Sequence, residues 1–599
     1  MDFKSAKSRI ASHVLMAVSV FLFIVFKIGG PQWIEWLIDR QQFVFLNNLL
    51  GVQDALQHSP GFYAGMAESR FYGPISQVMA AIAFVTYALL YLKHASFWRH
   101  LLSVFVFFLV TKFEVLFFPP YGDAIGGPFA EAIWLSKNHF DYSALFLQPD
   151  YSQGGPRVYL FSIYPTYLAI WLTLIKQPLL MLVVLHQIVF LMIAATATML
   201  REISRKVFAP DIAILVSGLF LFFPLVQAQA ESLNMEPPTM FLIMLSAFFL
   251  FRKKIVPAAL AATGAAFIKG TGILACMGVS LAALVLIFEN FKESRRIRKR
   301  YIFVIIAMVF VSVLTLSLKF FIKDAHVSAG MIGMLKGLPS LMVIRTVRWF
   351  LITLGIYLGS LVIRRKYSLD EFFSSGIMYA YGALFFVLLL NFIAVSPRYQ
   401  LSVYPFLAFG IVHAGSLVVR HKYFLRLIVI AMTLLAGFSS YGHFQQGVKD
   451  HVLLEGSLEY RNDLRVDRSV VDRIQSEYSS FKVVAPMQIA QMLALPELGY
   501  VHKDLDVMIY GFQCQYGGIR NYEGLSHLDA SNTIFIGKES DSDKKHLIPE
   551  YPMDPSDTVL EKLSYGNKRA WIFRGGHGIE KLYRIILQIR ARKVHEYSQ

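Results

Sequence analysis

Charge is scarce in this chain: 16% of its 599 residues are Asp, Glu, Lys or Arg, where a soluble domain carries roughly a quarter. That shortage excludes a soluble globule, and the composition also excludes a disordered, collagen-like or coiled-coil chain. Cysteine is nearly absent. Cys276 lies inside an apolar run and Cys514 in the C-terminal region, so neither a disulfide framework nor a thiolate metal site can be built. No Walker loop, no G-x-G-x-x-G after a strand, no H-E-x-x-H and no C-x-x-C occurs. ATP-driven transport and zinc hydrolysis therefore lose their usual sequence support.

Apolar residues take the place of charge, at 56% of the chain with a mean hydropathy of +0.51. Runs of the ~20 residues that cross a bilayer recur along the first three quarters of the sequence. The expected fold class is an all-α polytopic membrane protein with a C-terminal α/β domain. A net charge of +17 would suit nucleic acid if the basic residues shared one soluble face. They sit instead in short clusters between apolar runs and report topology, so membrane lipids and not nucleic acid are the expected surroundings.

The N-terminus is basic (Lys4, Lys7, Arg9), but its apolar run from Ile10 to Ile28 is too long for a signal peptide and lacks an A-x-A site. It reads as a retained first helix. Thirteen spans are expected, near 10–29, 77–92, 101–118, 179–200, 211–226, 239–251, 255–268, 271–288, 302–319, 347–363, 375–394, 401–419 and 425–441. With a cytoplasmic N-terminus, every inner loop is basic: Lys93 and Arg99; Arg201, Arg205 and Lys206; Arg252 to Lys254; Lys292 to Arg300; Arg364 to Lys366; and Arg420, Lys422 and Arg426. The positive-inside rule is satisfied throughout.

The opposite loops are long (30–76, 119–157, 320–346) or nearly free of Lys and Arg (227–238). The stretch 158–176, interrupted by Pro165, reads as lying along the outer surface, and 255–268 with 271–288 as short, tilted or buried helices joined at Lys269-Gly270-Thr271. The chain then divides into a two-helix extension (1–100), a membrane core (101–441) and an exoplasmic α/β domain (442–599). The last should run helix 470–478, strand 481–485, helix 488–495, strands 507–512 and 533–537, and a hairpin around Gly566-Asn567.

Outer acids are candidates for chemistry. Asp123, in Pro-Pro-Tyr-Gly-Asp-Ala just after an outward-going helix, could take a proton from an acceptor hydroxyl, or could be a solvated loop or capping aspartate. Glu131 and Asp141 share its loop and read as structural, with a second-acid or acceptor-binding role as the alternative. Glu236 starts a helix beyond a short outer loop, with Glu231 just upstream; paired acids can divide base and orienting roles, or merely mark loop ends. Lys269, Arg398, Arg345 and Arg348 sit at outward turns, where cations either snorkel or converge on an anionic headgroup. Asp504-Leu505-Asp506 and Asp541-Ser542-Asp543 have a D-x-D form but lie away from nucleotide sugars. His186 reads as an interhelical hydrogen-bonding residue.

The order of these features over roughly 101–420 resembles the GT-C superfamily of polyprenyl-phosphate-sugar glycosyltransferases, in particular the protein O-mannosyltransferase-like branch that includes the lipid A aminoarabinose transferase. The similar segments are the loop bearing Asp123, Ser162-Ile163-Tyr164-Pro165-Thr166-Tyr167, the basic turn Leu200 to Phe208, Asn234-Met235-Glu236-Pro237, Gly264 to Gly270, and Pro397-Arg398-Tyr399-Gln400. The resemblance implies Asp123 as general base, Glu236 as second acid, and Lys269 and Arg398 as donor-phosphate contacts. Family members often place a second acid directly after the catalytic Asp; here it is Ala124, which leaves a divalent cation open. No W-W-D signature occurs in the tail. The expected activity is transfer of a single sugar from a polyprenyl-phosphate donor to a hydroxyl of a lipid, glycan or protein. A lipid-linked glycan flippase, or a polymerase or ligase of lipid-linked oligosaccharide, is the alternative.

Overall fold

The computed structural model describes residues 6–50, 60–122, 124–142, 163–294, 299–321, 345–364, 369–389, 397–419, 421–441, 457–458, 460–510, 532–538, 558–565 and 568–574. Helix dominates. Eight helices among these residues are long and apolar enough to cross a membrane: Arg9–Asp39, Pro60–Leu92, Pro178–Val207, Gly270–Lys292, Lys299–Ser317, Thr346–Arg364, Arg398–Val418 and Lys422–Tyr441.

The expected thirteen spans are thus not all full-length. Four of the apolar runs fold as shorter helices: Phe97–Thr111, Pro210–Phe222, Glu236–Phe251 and Ile255–Ile268; the helix of the run 375–394 is described only as far as Leu389. A helix of about 16 residues reaches only about 24 Å, against a hydrocarbon core of ~30 Å. Lys112, Pro224, Arg252 and Lys269-Gly270 lie at the ends of these four. Composition alone misses this because a helix apolar on every side belongs inside a bundle as readily as across a bilayer. Pro210–Phe222 buries every residue from Ile212 onward.

The stretch 30–76, expected as a long loop, is largely helical where it is described. The first helix continues to Asp39, Phe43–Leu50 forms another, and Pro60 begins the second long helix. Ile34, Leu37 and Ile38 are buried against Tyr63, Met66 and Tyr72 in a small separate core, while Trp33 and Trp36 are exposed. Apolar residues at three- and four-residue spacing suffice for such helices, although the segment is too polar to register as a span. The stretch 158–176 gives a twelve-residue helix, Ile163–Leu174.

The C-terminal domain carries a five-stranded sheet: β1 (Lys482–Pro486), β2 (Val507–Tyr510), β3 (Thr533–Lys538), β4 (Thr558–Tyr565) and β5 (Lys568–Arg574), in the order β2-β1-β3-β5-β4. β1 runs parallel to both neighbours, and β5 is antiparallel to β3 and β4. The pair Tyr565↔Lys568 closes the expected hairpin, whose two turn residues lie outside the described set. Helix Met487–Ala494 follows β1. The helix expected at 470–478 starts ten residues earlier, at Tyr460. Its first turns bury Arg461, Asn462 and Asp463. Polar side chains there concealed its inward face.

This domain belongs to the same hydrophobic core as the bundle: Val470, Ile474, Val483 and Ile534 join Phe108, Phe190 and Phe220 in one cluster. Gly61 lies so close to β4 that a Cβ there would run into the Ser564 carbonyl.

Candidate functional site

Helices Glu236–Phe251 and Ile255–Ile268 form an antiparallel pair joined by the Arg252–Lys254 turn, in which Lys253 has φ +56°. The N-terminus of the first therefore lies beside the C-terminus of the second. Pro237 and Pro238 fit the first turn, where no intrahelical N–H is needed. Lys269 leaves the second helix in an extended conformation (φ −149°, ψ 140°) and is followed by the short 3-10 turn Gly270–Gly272. Gly272 packs directly on the Ala265 backbone, where no Cβ would fit.

That geometry brings Glu236 and Lys269 into a salt bridge although 33 residues separate them. Arg398, in the 3-10 stretch Pro397–Val403, places its Nε 3.4 Å from the same Glu236 oxygen, Oε1. Tyr399 lies against both cations: Lys269 Nζ is 4.1 Å and the Arg398 guanidinium 5.1 Å from its ring centre. Tyr164 is buried and donates its hydroxyl to the Leu233 carbonyl at 3.0 Å, with its ring stacked on Tyr167 at 5.9 Å. Four of the segments picked out in the sequence thus meet at one end of the bundle.

Asp123 lies outside the described residues; the chain leading to it is held from the C-terminal domain. Tyr500 donates to the Pro120 carbonyl at 2.9 Å, and Tyr121 packs on Tyr460 (5.9 Å) and donates to Asp467 Oδ2 at 3.4 Å. Arg461 stacks over Phe118 at 5.6 Å. From the bundle side, His186 Nε2 donates to the Phe118 carbonyl at 2.8 Å. Asp467 is paired with Lys538 (2.7 Å), yet burial holds its carboxyl above the ordinary aspartate range.

Glu231 is a different kind of acid from Glu236. Its Oε1 accepts from Lys112 (2.5 Å) and Arg461 Nη2 (2.7 Å), its Oε2 from Tyr460 and Arg461 Nε (both 2.9 Å). Burial works against its charge, but Arg461 and Lys112 outweigh that and hold its carboxyl at about 2. Arg461 also reaches Glu114 at 2.7 Å and Glu68 at 3.4 Å; Lys27 pairs with Glu114 at 2.5 Å, and Arg465 with Glu68. Glu231 therefore anchors the two parts of the chain together and has no oxygen left for chemistry. Lys112, Glu114, Glu68 and Arg461 carry no local signature of this role, because their pairings with one another and with Glu231 span more than a hundred residues.

The remaining candidates stand apart. Glu131 is buried in the first turn of Ala130–Lys137, and Asp141 is exposed. Arg348 is exposed and does not touch Glu236, whose ion-pair partners are Lys269 and Arg398. Arg345 opens the same helix as Arg348, and its side chain lies outside the described residues. Asp504 and Asp506 are in the segment before β2, while Asp541 and Asp543 lie outside the described residues. Among the described residues, no three His, Cys, Asp or Glu are grouped as a metal site requires. No protein-family model and no curated protein matches the chain.

Proposed function

We propose that the protein is an integral-membrane glycosyltransferase that moves one sugar from a polyprenyl-phosphate donor to a hydroxyl on a lipid, glycan or protein at the exoplasmic face. Its N-terminus is cytoplasmic and its C-terminal domain exoplasmic in this reading. The observation that supports it is the meeting of Glu236, Lys269 and Arg398 in one ion cluster, with Tyr164 bonded to the Leu233 carbonyl of the turn that leads into Glu236. Two cations and an acid at the edge of an apolar bundle suit a lipid phosphate carrying a polar group.

In the reaction, the acceptor oxygen attacks the anomeric carbon and the bond from that carbon to the phosphate oxygen breaks, its electron pair leaving with polyprenyl phosphate. Asp123 takes the acceptor proton, and the anomeric centre inverts. Lys269 and Arg398 neutralise the phosphate before and after bond cleavage. The leaving group is already good, so the residues act mainly by positioning and charge neutralisation.

Reconstituting the pure protein with a polyprenyl-phosphate sugar and an acceptor extract tests this. Release of polyprenyl phosphate with labelled acceptor upholds it. An intact donor moved between leaflets identifies a flippase instead, and oligosaccharide products a polymerase or ligase.

A further inference from the structure

Two buried glutamates lie five residues apart at this rim, and they are bonded very differently. Glu231 uses both carboxylate oxygens, each with two donors. Glu236 offers Oε1 to Lys269 and Arg398; its Oε2 is buried and, among the described residues, accepts no hydrogen bond. A buried carboxylate oxygen without a donor carries a desolvation penalty, so a purely structural acid is expected to look like Glu231. Lys269 in turn has three N–H donors and gives one to Glu236, while Tyr399 covers a side of the ammonium. Acid and cation both keep bonding capacity at one spot.

We infer that Glu236 is a stand-in anion: without substrate it occupies Lys269, and a phosphate group displaces it there. This rests on the proposed function, since the displacing anion is the donor's phosphate. Phosphate suits the exchange because its oxygens can accept more than one of the ammonium's hydrogens, which one carboxylate oxygen does not. Displacement frees the Glu236 carboxylate to accept a hydrogen bond from a donor or acceptor hydroxyl. The salt bridge therefore guards an empty site against stray anions and turns the acid toward substrate only when a phosphate arrives.

The test is affinity for undecaprenyl phosphate in nanodiscs, with undecaprenol and inorganic phosphate as comparison probes and melting temperature as the folding control. Removing a competing anion should make Glu236→Gln bind undecaprenyl phosphate about fivefold to tenfold tighter. Lys269→Met should bind about tenfold weaker or worse, and undecaprenol should respond to neither. The same gain with inorganic phosphate assigns the exchange to the phosphate group alone; a gain confined to the lipid assigns it to a lipid phosphate, and either upholds the inference. Unchanged or weaker binding by Glu236→Gln, at a native melting temperature, overturns it; Glu236→Ala replaces that variant if Gln lowers the melting temperature. If Lys269→Met weakens binding but Glu236→Gln does not tighten it, the exchange alone fails. If every form binds undecaprenyl phosphate no better than undecaprenol, the phosphate-donor function fails with it.

Discussion

Substituting Arg461→Met should be among the most damaging single changes in this protein, although Arg461 lies far in sequence from every candidate catalytic residue. Methionine preserves much of the stem but leaves Glu231, Glu114 and Glu68 without the cation they share. Lys112 still pairs with Glu231, and Lys27 with Glu114, so the acids are weakened and not abandoned. Removing one member of a buried ion pair costs about 3–5 kcal/mol. A second route gives a similar figure: lowering Glu231 from 4.5 to about 2, at about 1.4 kcal/mol per pH unit, corresponds to ~3 kcal/mol, shared between Arg461 and Lys112. We expect a melting temperature several degrees below wild type in detergent. The sign with pH follows from a depressed carboxyl: Glu231's contribution is complete above its ordinary value of 4.5 and fades as pH falls toward about 2. Acid should therefore narrow the gap between wild type and variant. Combining Arg461→Met with Glu231→Gln should recover part of the loss, because the double variant leaves less unpaired charge. A single variant melting within about 1 °C of wild type, or a double variant losing the sum of both singles, would refute the account.

Asp123→Asn keeps size and removes proton affinity, so turnover should fall about 10²- to 10⁴-fold while donor binding persists in a lipid-binding assay. Near-normal turnover would move the role of base to Glu236 or Glu131. Gly272→Ala forces the Lys269 turn away from Ala265, and we expect about tenfold weaker donor binding together with a stability loss of about 1–3 kcal/mol; unchanged binding would sever that turn from the site. Truncation after Tyr441 removes Arg461 and leaves Glu231, Glu114 and Glu68 without the cation they share, so the shortened core should lose thermal stability as well as transfer. A core that melts like the full chain would show the C-terminal domain to be detachable.

Much of the fold was legible in the sequence because hydropathy reports it directly. The apolar runs 10–29, 179–200 and 401–419 became long helices, and the strands expected at 481–485, 507–512 and 533–537 stand within two residues of their expected ends. Span length was not legible for runs such as 211–226, because apolarity does not distinguish helix interior from lipid contact. The candidate site was half legible. Glu236, Lys269 and Arg398 could be picked out as charges at apolar boundaries, and the structure brings these three together. Glu231 carried the same signature, yet it is enclosed by Arg461, 230 residues away; pairing at that distance leaves no periodic trace. Arg348 also matched the pattern and is exposed, because a helix boundary gives a residue's depth but not its direction around the axis.

Arg461 also bears on how the protein is made. Glu68, Glu114 and Glu231 emerge from the ribosome long before their shared cation. At roughly 5–20 residues per second, the 230 residues from Glu231 to Arg461 take about 10–50 seconds to synthesise. Over that interval the three acids have Lys27 and Lys112 beside them but lack the cation they share in the finished fold, and unpaired carboxylates favour hydration over burial. Closure waits for the helix starting at Tyr460. A chain broken off between Glu231 and Tyr460 would carry all three acids without their shared cation, an acidic rim that the finished protein covers.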